Sequence, residues 1–467
     1  MRFSVRFCGV LLIIIIGSVG AEADVLTVGI GGTYGTIQDA IAAAVTMGGD
    51  NTLKLRAGTF EEHIWVTDLM TSGSLTIIGG WNVWFNSRDP DPSSTVILSA
   101  STVAASFEYG GGTIRFDGVT FTGNNPADYG GGIYALMTGD SRLILDHCII
   151  TGGFSGKSGG GAHLHLSTTA SLEMLDCTVY DNEVVNSQGV FGGGVYLYLN
   201  NSATGKISWS SISGNTMATG GSSNALGGGL CVEMWGDGSL EISDCIFEDN
   251  TLGSADGLRQ GSEIRVTAYS FSADDMPHIE IRRNRFHSLP SIEASSVLYL
   301  KSNNAETAIS DSWFSGGADA GLVAYMQGSG ILYLNNITVT DFEGISVEVN
   351  SDMTRDFQVL SLANSILWDN GTDTPELPDW MADQGNLVGT DPLFVDPADR
   401  NFRLQEGSPA IDTAVGTPQG GFSEVDLHTL DRQIGSAVDA GGSEWGGIFG
   451  NGFEAGTDRI WSSHSPN

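Results

Sequence analysis

Apolar side chains recur at every second position in two kinds of segment, and the two kinds alternate along most of the chain. Residues 114–124, 143–153, 172–182, 205–215 and 240–250 form the first kind. Each closes on an apolar residue, two variable positions and then Asn or Gly, as in Phe121-Thr122-Gly123-Asn124 and Val179-Tyr180-Asp181-Asn182. The second kind opens with a Gly-Gly-Gly-apolar run at 130–133, 159–162, 192–195 and 227–230, with a degenerate copy at 261–264. Period-two alternation marks half-buried β-strands, not helices. Weaker copies of the first kind end at Leu289, Gly317, Phe342 and Asn370, so the successive steps are 29, 29, 33, 35, 39, 28, 25 and 28 residues.

One repeat of this length cannot bury its own apolar face, whereas stacked copies can. The spacing predicts an all-β solenoid, a right-handed parallel β-helix. At ~4.8 Å per rung, eight steps make a rod of roughly 40 Å before the end rungs are added. The inward set after each glycine run reads Ile133/Ala135/Met137, Ala162/Leu164/Leu166, Val195/Leu197/Leu199, Leu230/Val232/Met234 and Ile264/Val266/Ala268. In the other strand Phe121, Ile150, Val179, Ile212 and Phe247 stack, with Val119, Cys148, Cys177, Ser210 and Cys245 two residues earlier. Asn124, Asn182, Asn215 and Asn250 fall at one turn, where stacked amides form an inward ladder. The glycines supply corners with φ > 0. The cysteines are expected as small buried core residues in preference to disulfides.

The ends of the array look different. Residues 34–44 read as a capping helix, with Thr36 as N-cap and Asp39 at the third helical position. The strands are then expected to start at Leu53. Domain organisation follows: a leader at 1–23, the β-helix over 24–375, closing rungs and an irregular segment over 376–445, and a tail at 446–467.

Thr36–Ala44 followed by Ala57-Gly58-Thr59-Phe60 resembles the start of pectin-lyase-like β-helices. The pairing of Gly-Gly-Gly-apolar with Phe-x-x-Asn resembles the repeats of polymorphic outer membrane proteins. Asn364-Ser365-Ile366-Leu367-Trp368, Asp391–Asp396, Gly407–Asp412 and Val438-Asp439 are similar to the closing rungs of secreted bacterial β-helix proteins. The resemblance spans residues 36–439 and implies the fold. Lyases, hydrolases, adhesins and passive surface rods all share that fold, so it does not select among them.

Glycine and charge sharpen this picture. The 467 residues include 65 glycines, about twice the usual ~7%, and the excess is positional. With 20 Lys+Arg against 55 Asp+Glu, the net charge is −35. Such a surface excludes nucleic acid and anionic membrane as partners, and repels polyuronates unless Ca²⁺ bridges the two. Arg2 and Arg6 precede an apolar run over 10–16, and Ala21-Glu22-Ala23 supplies a cleavage site. That pattern is a secretory signal peptide whose apolar core is too short to span a bilayer. The expectation is an exported chain at the extracellular or outer cell surface, with no integral span in its mature part and no barrel of its own. The Gly-Phe-Glu…Trp pattern at 452–461 reads either as a sorting signal or as a solvated tail.

Candidate chemistry lies on the outward positions after the glycine runs. Tyr134, His163, Tyr196, Cys231 and Arg265 form one row. Leu136, His165, Tyr198, Glu233 and Thr267 form the next, and Trp235 and Tyr269 belong to a third. Rings on an exposed sheet face stack on sugar C–H faces, while His, Glu and Arg bond hydroxyls. The glycan- or partner-binding candidates are therefore Tyr134, His163, His165, Tyr196, Tyr198, Glu233, Trp235, Arg265 and Tyr269. The Asn-Thr-Asp segment, Asp-Asp pair, Gly-His-Gly and Arg-Ile-Lys that polygalacturonases of this superfamily use do not occur intact as a set. Asp274-Asp275 reads as a solvated pair. Asp146 in Leu145-Asp146-His147 aligns with Gly118, Asp176 and Asp244 at a strand corner, where turn chemistry accounts for acidic residues. No cofactor motif is present, and Ca²⁺ would enter only with a lyase. These features favour a non-catalytic, adhesin-like or glycan-binding surface rod. The alternative is a polysaccharide lyase or glycoside hydrolase.

Overall fold

The computed structural model describes residues 24–67, 73–186, 190–219, 224–253, 258–289, 296–317, 320–352 and 358–445. The expected leader and the tail at 446–467 lie outside them. The chain winds as a parallel β-helix. Each turn lays a strand into a first sheet of thirteen strands, then one into a third sheet, then one into a second sheet of ten. Arg142–Asp146, Ile149–Thr151 and Ala162–Leu166 make one such turn before Ser171–Leu175 begins the next. Parallel pairing places Phe121, Ile150, Val179, Ile212, Phe247, Phe286 and Phe314 in one inward file. The last three rings stack at 5.1 and 4.7 Å between centroids. Burial of such files is the main stabilising term of the rod.

Its corners explain the punctuation. Gly118, His147, Asp176, Trp209, Asp244, Arg283 and Asp311 all take φ between 49° and 67° at the bend from the first sheet to the third. This corrects the sequence alignment by one residue: His147, not Asp146, stands in the corner file, while Asp146 pairs with Asp117 and Leu175. In the glycine triplets the three positions do different work. Gly159 bends the chain at φ +64°, and a Cβ on Gly160 would meet the carbonyl oxygen of Gly193 at 2.3 Å. Only the first glycine of the run is there for its dihedral; the next permits close stacking.

An amide ladder runs up the opposite turn. Asn182 Nδ2 donates to Asn215 Oδ1 at 2.9 Å, and Asn215 Nδ2 donates to Asn250 Oδ1 at 2.8 Å. Asn250 Nδ2 then donates to the buried carboxyl of Glu263. Asn124 is exposed and outside this ladder, because it pairs with Phe154, which in turn pairs with Glu183, and so stands one residue beyond the ladder file, whose place on its rung is taken by the buried Gly123. All four described cysteines are free, buried thiols.

The helix Ile37–Met47 closes the first turn, with Thr36 Oγ1 accepting from Asp39 N at 3.1 Å. Glu62, from the next rung, accepts from the Ile37 and Gln38 amides as well. The first strand is Asp24–Val28, ahead of the helix, and pairs with Gly49–Arg56. The expectation that strands start at Leu53 is corrected accordingly.

After its last strands, Ala382–Gln384 and Leu387–Val388, the chain doubles back as a lap over the outside of the third sheet. An antiparallel hairpin, Phe394–Asp396 with Asn401–Leu404, sets Phe402 against Trp313 and Phe394 against Trp368. Corner residues then hold the return leg. Arg283 donates to Ser423 Oγ at 3.1 Å, Asn335 to the carbonyls of Gln419 and Gly421, and Asn364 exchanges bonds with the Val415 backbone.

Candidate functional site

Because register is fixed by the inward files, the outward side chains of the second sheet form axial rows. Tyr134, His163, Tyr196, Cys231, Arg265 and Tyr299 follow one another rung by rung. Leu136, His165, Tyr198, Glu233, Thr267 and Lys301 form the second row, and Asn200, Trp235, Tyr269 and Asn303 the third. The structure thus brings all nine sequence-derived candidates onto one face. It adds Tyr299, Lys301, Asn200 and Asn303, whose strands lack the glycine-run signature or lie at the strand end.

Outward does not mean exposed on this face. His163 and Arg265 are each 8% exposed, and Cys231 is fully covered. His163 lies between Tyr134 and Tyr196, at 5.6 and 4.8 Å between centroids, with Tyr129 at 4.6 Å. Its Nδ1 meets Ser158 Oγ at 2.8 Å. The ring faces of this row are consumed between rungs, so sugar stacking on them, expected from sequence, is replaced by an edge of hydroxyls and ring edges. Tyr134, His165, Tyr196, Tyr198, Glu233, Trp235 and Tyr269 are partly exposed. Trp235 and Tyr269 also lie against one another at 4.8 Å with their planes tilted by 33°, while Phe271 beside Trp235 is 95% exposed.

Burial keeps the histidines and phenols of this face neutral. Burial, helped by His165, pushes the His163 pKa down to about 3, and burial lowers His165 as well. The phenols of Tyr134, Tyr196 and Tyr198 are all raised, first by burial and then by nearby acidic groups. Tyr196 Oη donates to Glu233 Oε2 at 3.0 Å, and Arg265 Nη1 stands 3.7 Å from Glu233 Oε1. Cys231 is pushed up to about 12 by burial, against the pull of Arg265.

A second constellation was not legible in the sequence. On the third sheet Glu248 and Asp249 sit beside His287, whose Nδ1 meets Ser315 Oγ at 3.2 Å. Arg400, at the hairpin of the lap, reaches back to pair with Glu248. Burial and then Glu248 raise the Asp249 carboxyl, and His287 is lowered to about 4 by burial and Arg400. Only the folding back of the lap joins Arg400 to residues 152 positions earlier, and no local motif announces it.

At the corner, His147 Nδ1 lies 2.7 Å from Asp146 and its Nε2 3.0 Å from Asp176, while Arg115 pairs with Asp146. Asp274 and Asp275 are exposed in a turn stitched by Ser270 and Ser272. Among the described residues no group of three His, Cys, Asp or Glu is placed to hold a metal ion, and no helix is long and apolar enough to cross a membrane.

The fold and rows define a parallel β-helix with one aromatic, charge-poor face. No family model matches the chain, and no curated protein does. Among solved structures, the pectin methylesterase from Aspergillus niger in deglycosylated form is similar over 83% of this chain and 92% of its own, at 14% identity and TM-score 0.29. The penultimately deglycosylated form of that enzyme covers 88% and 98%, at the same identity and TM-score. The assignment of the fold rests on the strand register alone.

Proposed function

We propose that this chain is an exported, pectin-lyase-like β-helix with polymorphic outer membrane protein-type repeats. It acts as a non-catalytic, adhesin-like surface rod and presents the outer face of its second sheet to an extracellular glycan. The observation that supports this reading is that the histidines and phenols of that face are held neutral in a chain of net charge −35. Its histidines are held unprotonated and its phenols protonated, so the edge it presents is one of hydroxyls and ring edges, flanked by Trp235, Phe271, Asn200 and Asn303. Such a surface matches uncharged hydroxyl-rich chains and is a poor match for polyanions. Glycan-array binding by the exported protein tests the reading: retention of neutral glycans without release of reducing ends supports it, and an empty array overturns it.

A polysaccharide lyase or hydrolase is the second reading, favoured by the pair Glu248 and Asp249 under Arg400. Two neighbouring carboxyls in unlike environments are what acid–base chemistry on a glycosidic bond requires. Release of reducing sugar or unsaturated product from a polysaccharide panel, with and without Ca²⁺, and its loss in Glu248→Gln, would establish this reading over the first.

A further inference from the structure

The lap closes over a charge cluster that is out of balance. Asp311 on the rod and Asp426, Asp439 and Glu444 on the lap are each at most 4% exposed, and Arg432 at their centre is 2% exposed. Arg432 Nε lies 3.1 Å from Asp311 Oδ1, and Nη1 lies 3.8 Å from Glu444 Oε2. Four carboxyls thus share one guanidinium. Arg283, which also feels the charge of Asp311, is committed to Asp244 through both Nε and Nη2. Asp412, which also faces Asp439, is exposed and adds a further negative charge. Backbone amides absorb part of the excess. Asp426 accepts from His428, Leu430 and Glu444, and Asp439 accepts from Asp412 and Trp445. Glu444 has only longer bonds, 3.3 Å from Ile434 N and 3.2 Å from Asp439 N.

A buried cluster with more carboxylates than cations is held together only while part of it stays protonated. We propose that the Arg432 cluster is a pH-operated clasp: it holds the lap against the rod while one of its carboxyls keeps a proton, and loosens the lap when that proton leaves. Glu444 is the group that titrates. Burial, and after it the charge of Asp439, push its carboxyl up to about 7, with Arg432 opposing. Asp439 and Asp426 are raised by burial too, though their amide bonds and Arg432 pull the other way. A carboxyl raised in the folded state contributes fully below its unfolded value, near 4.5. Its contribution is lost as pH climbs through about 7. The clasp is therefore tight in acid and slack above neutrality. Opening would uncover Trp313 and Ile366 on the third sheet, against which Phe402 and the 440–445 stretch pack, and would free the chain leading to the tail.

Hydrogen exchange on the whole exported chain tests this, with amide protection over 423–445 compared with that of the strands over 133–235 in the same sample. Between about pH 5.5 and about pH 8.5 the relative protection of the lap is expected to fall by about tenfold or more. The Glu444→Gln variant, which carries no titrating proton there, is expected to hold its protection nearly constant over that interval. Equal relative protection at both pH values in the wild type overturns the clasp without any variant. Undiminished pH dependence in Glu444→Gln overturns the assignment to Glu444.

Discussion

Tyr196 and Glu233 sit on neighbouring rungs and share one hydrogen bond, the phenol donating to Oε2 at 3.0 Å. That bond ties the buried aromatic row to the partly exposed second row. It also leaves Glu233 facing Arg265, and so fixes that charge pair within the face. Tyr196→Phe keeps the stacking on His163 and removes the donor. Thermal unfolding should show a loss of about 1 kcal/mol, the usual net worth of one such hydrogen bond.

The amide ladder gives a sharper contrast. Asn215→Ala removes the acceptor for Asn182 and the donor for Asn250 inside the core. Denaturant unfolding should register a loss of about 3 kcal/mol, since buried partners are left unsatisfied. Asn124→Ala, at an exposed position one residue beyond the ladder file, should change stability by less than about 0.5 kcal/mol.

Glycines divide in the same way. A Cβ at Gly160 would lie 2.3 Å from the Gly193 carbonyl oxygen, so Gly160→Ala must spread two rungs apart. A cost of about 3 kcal/mol is expected in the same assay, in line with overpacking. Gly35, with nothing within 4 Å of its would-be Cβ, should accept Ala with no measurable loss.

His163 predicts a pH response opposite in sign to that of the clasp. Its folded pKa of about 3 is below the ordinary 6.5. The stability it contributes is therefore complete above about 6.5 and lost as pH falls toward 3. His287, at about 4, acts in the same direction. Stability measured from pH 7 down to pH 3 should fall with a slope that includes up to one proton from His163, and His163→Phe should flatten that part. An unchanged slope in the variant would contradict the burial of the imidazole.

Why some of this was legible in the sequence and some was not follows from geometry. The inward files and glycine triplets recur every 25 to 39 residues, so the β-helix and its axial rows could be read directly, while the corner file was read one residue off at Asp146. Asn124 misled because the register slips by one residue after Phe121, which pairs with Ile150 while Asn124 pairs with Phe154, and alternation alone does not reveal the slip. His163 and Arg265 were expected at the surface because alternate residues point outward. In a stacked solenoid each outward side chain is also covered by the rungs above and below, and large rings cover one another. The lap, the clasp and the Glu248–Arg400 pairing join residues more than a hundred positions apart without any period, so nothing local encodes them.

The central claim is that the outer face of the second sheet binds a neutral glycan through its partly exposed residues. Titration calorimetry of the strongest neutral glycan hit against wild type and against Tyr198→Ala and Trp235→Ala tests it most directly. The account predicts at least about a tenfold weakening in each variant, corresponding to about 1.4 kcal/mol, with folding intact by thermal unfolding. Unchanged affinity in both would contradict it.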